Sequence, residues 1–98
     1  MIINKTGSGS ELILALEGRL DTVSSPELEQ VLKDSLAGIT DLTFDFAKLE
    51  YVSSAGLRVL LSAQKTMNRQ GSMRLKNVNE AIREIFEITG FADILTVE

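Results

Sequence analysis

Two adjacent serines precede a leucine-rich segment in the stretch YVSSAGLRVLL, from Tyr51 to Leu61. A serine at a helix start can cap the helix, because its hydroxyl accepts a hydrogen bond from a free N–H group of the first turn. The same place also suits a phosphate, since unpaired N–H groups and the positive end of the helix dipole attract anions. From these residues alone a plain cap is the favoured interpretation, with Ser53 as the cap and Ser54 at the first helical position.

Gly56 and Arg58 also bear on whether this helix start is a plain cap or a place for a phosphate. A glycine in the first turn costs a helix up to ~1 kcal/mol relative to alanine, so we expect another backbone or a partner to approach closely there. Arg58 follows Ser54 by four residues, within reach of a charge-assisted hydrogen bond to a phosphate on that serine. At an interface, a phosphate would weaken the complex unless the partner supplied cations.

The remaining residues give little support for catalysis. The chain has no histidine and no cysteine, which removes the Ser-His triad, the usual imidazole metal sites and thiolate chemistry. The stretch GSGS lies in a predicted hairpin and not before a helix, so it is not a phosphate-binding loop. Asp21, Asp45 and Glu50 could form a carboxylate cluster, but Asp45 is predicted on the polar face of a strand and Glu50 in an exposed turn. We expect no enzymatic activity, no metal and no cofactor.

The composition indicates a folded domain that does not bind nucleic acid. Hydrophobic residues make up 44% of the 98 residues, which favours a globular fold over disorder. The net charge is −4 and the ten basic residues are scattered, whereas nucleic-acid binding needs them clustered. No stretch reaches the ~20 apolar residues that cross a bilayer, and the N-terminus lacks the pattern of a signal peptide. We expect one domain over residues 1–98, in the cytoplasm.

Hydrophobic periodicity predicts the elements that position the two serines. Ser25 followed by Pro26 indicates a helix start, where Ser24 and Glu27 have the spacing of a capping box. Gly38 is predicted to end this helix. The predicted strands are 1–5, 12–18, 41–46 and 73–76. The two later helices are predicted at 54–70, ended by Gly71, and at 80–89, capped by Asn79 and ended by Gly90. A last extended segment is predicted at Ile94–Val97.

This order predicts an α/β fold with a mixed β-sheet. A Gly-Ser turn joins the first two strands as an antiparallel hairpin, and helices between the later strands imply parallel crossovers. Leu42, Phe44 and Phe46 alternate with Thr43 and Asp45, which is typical of a strand with one buried face. We therefore expect the helices mainly on one face of the sheet.

Three segments, YVSSAGLRVLL, ALEGRLDTVSSPELEQVL and MRLKNVNEAIREIFEITGFADIL, resemble the STAS domains of bacterial anti-sigma factor antagonists. The first is similar to that family's Asp-Ser-Ser-Gly-Leu signature and apolar helix. The second resembles its strand, Gly-x-Leu-Asp turn and helix, and the third its closing strand and helix. Together they span essentially the whole chain, and the resemblance implies a STAS-type fold.

The resemblance also implies a protein–protein switch. In such systems a kinase-type anti-sigma factor binds the unphosphorylated antagonist and releases its sigma factor. The kinase then phosphorylates a serine at the helix start, which ends the interaction, and a PP2C-type phosphatase restores the free form. ATP and magnesium belong to the kinase, so the antagonist itself needs no cofactor, and we expect it to be a monomer when free.

By position, the family's phosphorylated serine falls on Ser54, and its glycine falls on Gly56. Ser53 stands where the family has an aspartate and Ala55 where it has a second serine, so two adjacent hydroxyls are candidate acceptors and Ser54 is the predicted one. The family's aspartate after the second strand falls on Asp21. The residues predicted to contact the partner are Asp21, Ser53, Gly56, Leu57 and Arg58.

Two of these residues also have a structural interpretation. Asp21 ends a strand, where a carboxylate commonly accepts hydrogen bonds from loop N–H groups. We expect it near Ser54, because the loops at the carboxyl ends of parallel strands lie together. Leu57 could be a core residue or an exposed anchor.

Two other functions are alternatives to this switch. One is a STAS adaptor that is not phosphorylated, for example the soluble partner of a lipid-transport ATPase. The other is direct nucleotide binding or hydrolysis, which the missing phosphate loop disfavours.

Overall fold

The computed structural model describes residues 1–98 and has the predicted order of elements. The strands are β1 (Ile2–Thr6), β2 (Glu11–Leu20), β3 (Asp41–Val52) and β4 (Ser72–Lys76). The helices are α1 (Ser25–Ser35), α2 (Ser54–Gln70) and α3 (Glu80–Thr89), and a 3-10 turn follows at Phe91–Asp93. None of these helices is both long and apolar enough to cross a membrane.

The four strands form one mixed sheet in the order β1-β2-β3-β4. β1 pairs with β2 in antiparallel fashion, while β2 with β3 and β3 with β4 are parallel. Leu14 of β2 and Phe44 of β3 belong to one buried apolar cluster with Leu28 of α1, Leu60 of α2 and Phe86 of α3. The helices therefore cover the sheet face that carries the buried leucines and phenylalanines, which confirms the predicted fold class.

β3 is longer than predicted, since it runs on from Phe46 to Val52. It gains an extra residue against β2 at two places, where the register shifts. Each extra residue moves the next side chain to the opposite face, so the buried positions after Phe46 are Leu49 and Val52 and the period of two is lost. The segment that appeared to be a connection is thus a bulged strand that leads directly to Ser53.

The start of α1 differs from the predicted capping box. Ser24 precedes the helix but makes no capping hydrogen bond. Its hydroxyl donates to the carbonyl oxygen of Arg19 at 2.6 Å and accepts from the N–H group of Asp21 at 2.9 Å. The turn before the helix therefore takes up this side chain, and the capping-box prediction with Glu27 was wrong.

The helix ends show how well local signals predict boundaries. α2 has the predicted limits, and α3 begins after Asn79 and ends before Gly90, which has a φ of +80°. α1 ends at Ser35, before the predicted stop at Gly38. The predicted last extended segment is reduced to one parallel bridge between Leu75 and Val97.

Candidate functional site

The two segments singled out by the sequence leave adjacent ends of neighbouring parallel strands. Leu20, the last residue of β2, lies opposite Val52, the last residue of β3. The N–H group of Ser53 donates to the carbonyl oxygen of Leu20 at 2.8 Å. The turn Asp21–Ser24, here called the Asp21 turn, and the start of α2 are therefore anchored to one edge of the sheet.

The two serines at the start of α2 have different environments. The hydroxyl of Ser53 accepts from the N–H group of Gly56 at 3.4 Å, as a long capping hydrogen bond. The carbonyl oxygen of Ser53 accepts from the N–H group of Leu57 at 2.9 Å. Ser54 is exposed, and its hydroxyl forms no hydrogen bond within the chain. Ser53 thus caps α2, as predicted, while the hydroxyl of Ser54 is exposed and has no hydrogen-bond partner within the chain.

The early glycine of α2 is explained by its neighbour on β2. A Cβ atom at Gly56 would lie 2.7 Å from Cγ of Leu20 and 2.9 Å from its carbonyl oxygen. Both separations are shorter than side chains tolerate, so only glycine allows the helix to approach the strand this closely. The predicted close approach of another backbone is confirmed.

Leu57 was predicted to contact a partner, although the sequence left open whether it is a core residue or an exposed anchor. The structure places it in the core, with only 5% of its surface exposed. Gly56 is also buried, against Leu20. Leu57 is therefore a core residue, and its side chain is not exposed for the predicted direct contact with a partner.

Asp21 organises the turn that precedes α1. Its Oδ1 atom accepts from the N–H groups of Val23 at 3.0 Å and Ser24 at 3.1 Å, and its Oδ2 atom lies 3.8 Å from Nε of Arg19. The hydrogen bond from the Ser24 N–H group is the largest cause that lowers the pKa of this carboxyl, and Arg19 contributes in the same direction. Asp21 therefore has the structural role that the sequence allows, and partner contact through its exposed part stays a prediction.

Arg19, which the sequence did not indicate, lies beside the Asp21 turn. Its guanidinium carbon lies 4.4 Å from the ring centre of Tyr51, and the two residues are opposite each other in the β2–β3 pair. A cation over an aromatic face contributes about 0.5–1 kcal/mol at an exposed site. Arg19 and Tyr51 lie opposite each other only because the two bulges shift the strand register. The sequence could not predict this contact without the positions of the bulges.

Arg58 is exposed and has no acidic side chain within ion-pair distance. It borders a groove between α1 and α2 with a volume of about 230 Å³, here called the α1–α2 groove. The residues that line this groove are Thr22, Ser25, Pro26, Glu29, Ala55, Arg58, Val59 and Ser62.

The carboxylates considered for catalysis do not converge. Asp45 accepts hydrogen bonds from the side chain of Asn77 at 2.9 Å and from the N–H group of Ala47 at 3.0 Å. The bond from Asn77 is the largest cause that lowers the pKa of Asp45. Glu50 is exposed, although on β3 and not in a turn. No group of three acidic residues is arranged to hold a metal ion.

Comparison with known proteins gives one family over nearly the whole chain. The family model of the STAS domain matches residues 3–98. BtrV of Bordetella bronchiseptica, provisionally named an anti-sigma factor antagonist, is 36% identical over 88 residues, which cover 88% of this chain and 76% of BtrV. The anti-sigma-B factor antagonist of Bacillus subtilis is 29% identical over 89 residues, which cover 90% of this chain and 82% of that protein.

Among solved structures, the chain is similar to the anti-sigma factor antagonist SpoIIAA of Bacillus. The unphosphorylated form matches with a TM-score of 0.78 over 99% of this chain and 87% of SpoIIAA. The phosphorylated form matches with a TM-score of 0.77 over 99% of this chain and 91% of that structure. Both are 16% identical to this chain, so this likeness concerns the fold.

Proposed function

Because this chain belongs to the STAS domain family, alongside bacterial anti-sigma factor antagonists, we propose that it is an anti-sigma factor antagonist switched at Ser54. Its unphosphorylated form binds a serine-kinase anti-sigma factor and so frees the sigma factor. Phosphorylation of Ser54 by that kinase ends the interaction, and a PP2C-type phosphatase restores binding. The chain is the substrate in these reactions, and the kinase supplies the ATP and magnesium site.

The observation that carries this proposal is the difference between the two serines. The hydroxyl of Ser53 accepts the capping hydrogen bond, whereas that of Ser54 is exposed and without a partner. A kinase must reach its acceptor oxygen, and Ser54 is exposed whereas Ser53 is half-buried. The existence of SpoIIAA in both a phosphorylated and an unphosphorylated form supports the same kind of modification here.

The start of α2 is also a favourable place to carry a phosphate. The dianion would lie at the positive end of the helix dipole, one turn from Arg58, so the folded chain tolerates it. At an interface the same dianion must lose its water, which costs several kcal/mol without a matching cation. Because ~1.4 kcal/mol corresponds to a tenfold change in affinity, one phosphate is sufficient to separate the complex.

The test uses the cognate kinase anti-sigma factor with ATP and magnesium, followed by mass mapping of the modified peptide. We expect phosphate on Ser54 in the wild-type chain and in Ser53→Ala, and none in Ser54→Ala. Ser54→Ala should bind the kinase and stay bound when ATP is added, whereas Ser54→Glu should bind at least tenfold more weakly. An unmodified Ser54, together with unchanged binding by Ser54→Glu, would contradict the switch and favour an adaptor that is not phosphorylated.

A further inference from the structure

One residue that lines the α1–α2 groove has a buried hydroxyl without a hydrogen-bond partner in the chain. Ser25, at the first position of α1, is only 4% exposed and lines the groove. Its Oγ atom is buried and has no hydrogen-bond partner. Buried polar atoms are nearly always paired in folded proteins, so an unpaired one beside a groove indicates a place where a ligand atom completes the bonding.

The charge that borders the groove and has no internal partner is positive. Arg58 forms no ion pair. Glu29 also lines the groove, but its Oε1 atom lies 3.3 Å from Nζ of Lys33, so a cation of the same helix already faces this carboxylate. The first turn of α2 adds the positive end of its dipole. Together these features favour an anionic group in the groove.

We propose that the α1–α2 groove receives a carboxylate side chain of the anti-sigma factor, held by Arg58 and by the hydroxyl of Ser25; this rests on the proposed function. A planar guanidinium suits a carboxylate because it donates two parallel hydrogen bonds. The hydroxyl of Ser25 donates a further bond to the same group. The volume of about 230 Å³ is many times the ~10–15 Å³ that one water needs on the same measure, so it accommodates an acidic side chain.

This arrangement gives phosphorylation a second means of releasing the partner. Ser54 and Arg58 are separated by one helical turn, so a phosphate on Ser54 competes with the partner's carboxylate for the same guanidinium. The anti-sigma factor then loses its counterion in the groove and also meets new negative charge. An effect of Ser54→Glu that depends on Arg58 is the expected signature.

The first experiment tests the groove without any partner. Acetate, as a free carboxylate, is titrated into the ¹⁵N-labelled chain, with sodium chloride at equal ionic strength as the reference. We expect acetate-specific shifts of the amides of Ser25, Arg58 and Ser62 that are lost in Arg58→Gln and retained in Arg69→Gln, which removes an exposed cation from the last turn of α2. Equal shifts with chloride, or unchanged shifts in Arg58→Gln, would overturn the proposal.

The second experiment uses the recombinant anti-sigma factor, identified beforehand as the protein that copurifies with the tagged chain. We expect Arg58→Gln and Ser25→Ala each to weaken binding about tenfold, and Arg69→Gln to bind as the wild type does. Ser25→Ala should not lower the melting temperature, because its hydroxyl has no partner within the fold. Ser54→Glu should weaken binding less in the Arg58→Gln background than in the wild type.

The two proposals fail in different ways. If Ser54→Glu releases the anti-sigma factor while Arg58→Gln and Ser25→Ala bind normally, the phosphorylation switch stands and the carboxylate groove is overturned. If the wild-type chain binds no anti-sigma factor, the proposed function is wrong. The proposal that a carboxylate of that partner enters the groove is then wrong too, whatever the result of the acetate titration. Rescue of Arg58→Glu by an acidic-to-arginine substitution in the anti-sigma factor would identify the carboxylate directly.

Discussion

At the scale of single residues, Gly56 is the point where the start of α2 touches β2. A methyl group there would press on the carbonyl oxygen of Leu20, which already accepts the N–H group of Ser53. We expect Gly56→Ala to destabilise the fold by about 1–3 kcal/mol in urea unfolding, because overpacking outweighs the ~1 kcal/mol gain in helix propensity. Ser54→Ala, at an exposed neighbouring position, is the control and should not lose stability. A Gly56→Ala chain as stable as the wild type would contradict the close packing.

The carboxyl group of Asp21 should make the stability of the fold depend on pH. Hydrogen bonds from the Ser24 and Val23 N–H groups lower the pKa of its carboxyl in the folded state, relative to about 3.9 in an unfolded chain. The stabilisation is therefore complete well above that value and is lost as the pH falls through it towards the folded pKa. We expect Asp21→Asn to unfold at lower urea than the wild type at neutral pH, with a difference that shrinks in acid.

The control for this measurement is Asp93→Asn, which changes the net charge equally at an exposed aspartate that accepts no hydrogen bond. It should leave the stability at neutral pH nearly unchanged. A difference between Asp21→Asn and the wild type that persists undiminished at low pH would mean that the charge of Asp21 does not stabilise the turn.

At the scale of elements, the caps of α2 and α3 differ in strength. Asn79 accepts from the N–H group of Ile82 at 2.8 Å and also donates to the carbonyl oxygen of Leu49 at 3.0 Å. Ser53 accepts only one bond, at 3.4 Å. We expect Asn79→Ala to lower the free energy of unfolding by about 1–2 kcal/mol and Ser53→Ala by about 0.5 kcal/mol. Asn79→Ser keeps a cap without the bond to Leu49 and should fall between wild type and Asn79→Ala; the reverse order of the two alanine variants would contradict this interpretation.

The elements also show which signals in the sequence are sufficient to predict where a helix or strand begins and ends. The limits of α2 were predicted correctly because a capping serine and a terminal glycine are local signals. β3 was predicted too short because its bulges shift the buried face after Phe46, and a bulge depends on the partner strand. The capping box at Ser24 failed for a similar reason, since the N–H group of Asp21 donates to its hydroxyl oxygen and the hydroxyl donates to the Arg19 carbonyl oxygen, which turns it away from the helix. Local signals therefore predicted the limits of α2 and α3 but not those of α1, and the length of β3 depended on its pairing with β2.

At the scale of the whole molecule, the candidate site is assembled from segments distant in sequence. The parallel pairing of β2 and β3 sets Arg19 beside Tyr51 and joins Leu20 to Ser53, while the packing of α1 on α2 places Ser25 and Arg58 in one groove. The sequence could predict that Asp21 and Ser54 follow neighbouring strands. It could not predict the groove or the cation over Tyr51, because both depend on strand register and helix packing.

The fold as a whole should accept a negative charge at Ser54 without rearrangement. Ser54 is exposed at the first position of α2, so Ser54→Glu should stabilise the chain by about 0.3–1 kcal/mol at low salt, and Ser54→Lys should destabilise it by a similar amount. Both effects should shrink as salt is added, because exposed charges are screened. In ¹⁵N spectra, shifts caused by Ser54→Glu or by phosphate should be confined to the start of α2 and the Asp21 turn. Changes that spread to the buried core around Phe44, or a loss of stability in Ser54→Glu, would show that the charge acts by refolding the domain and not by altering its surface.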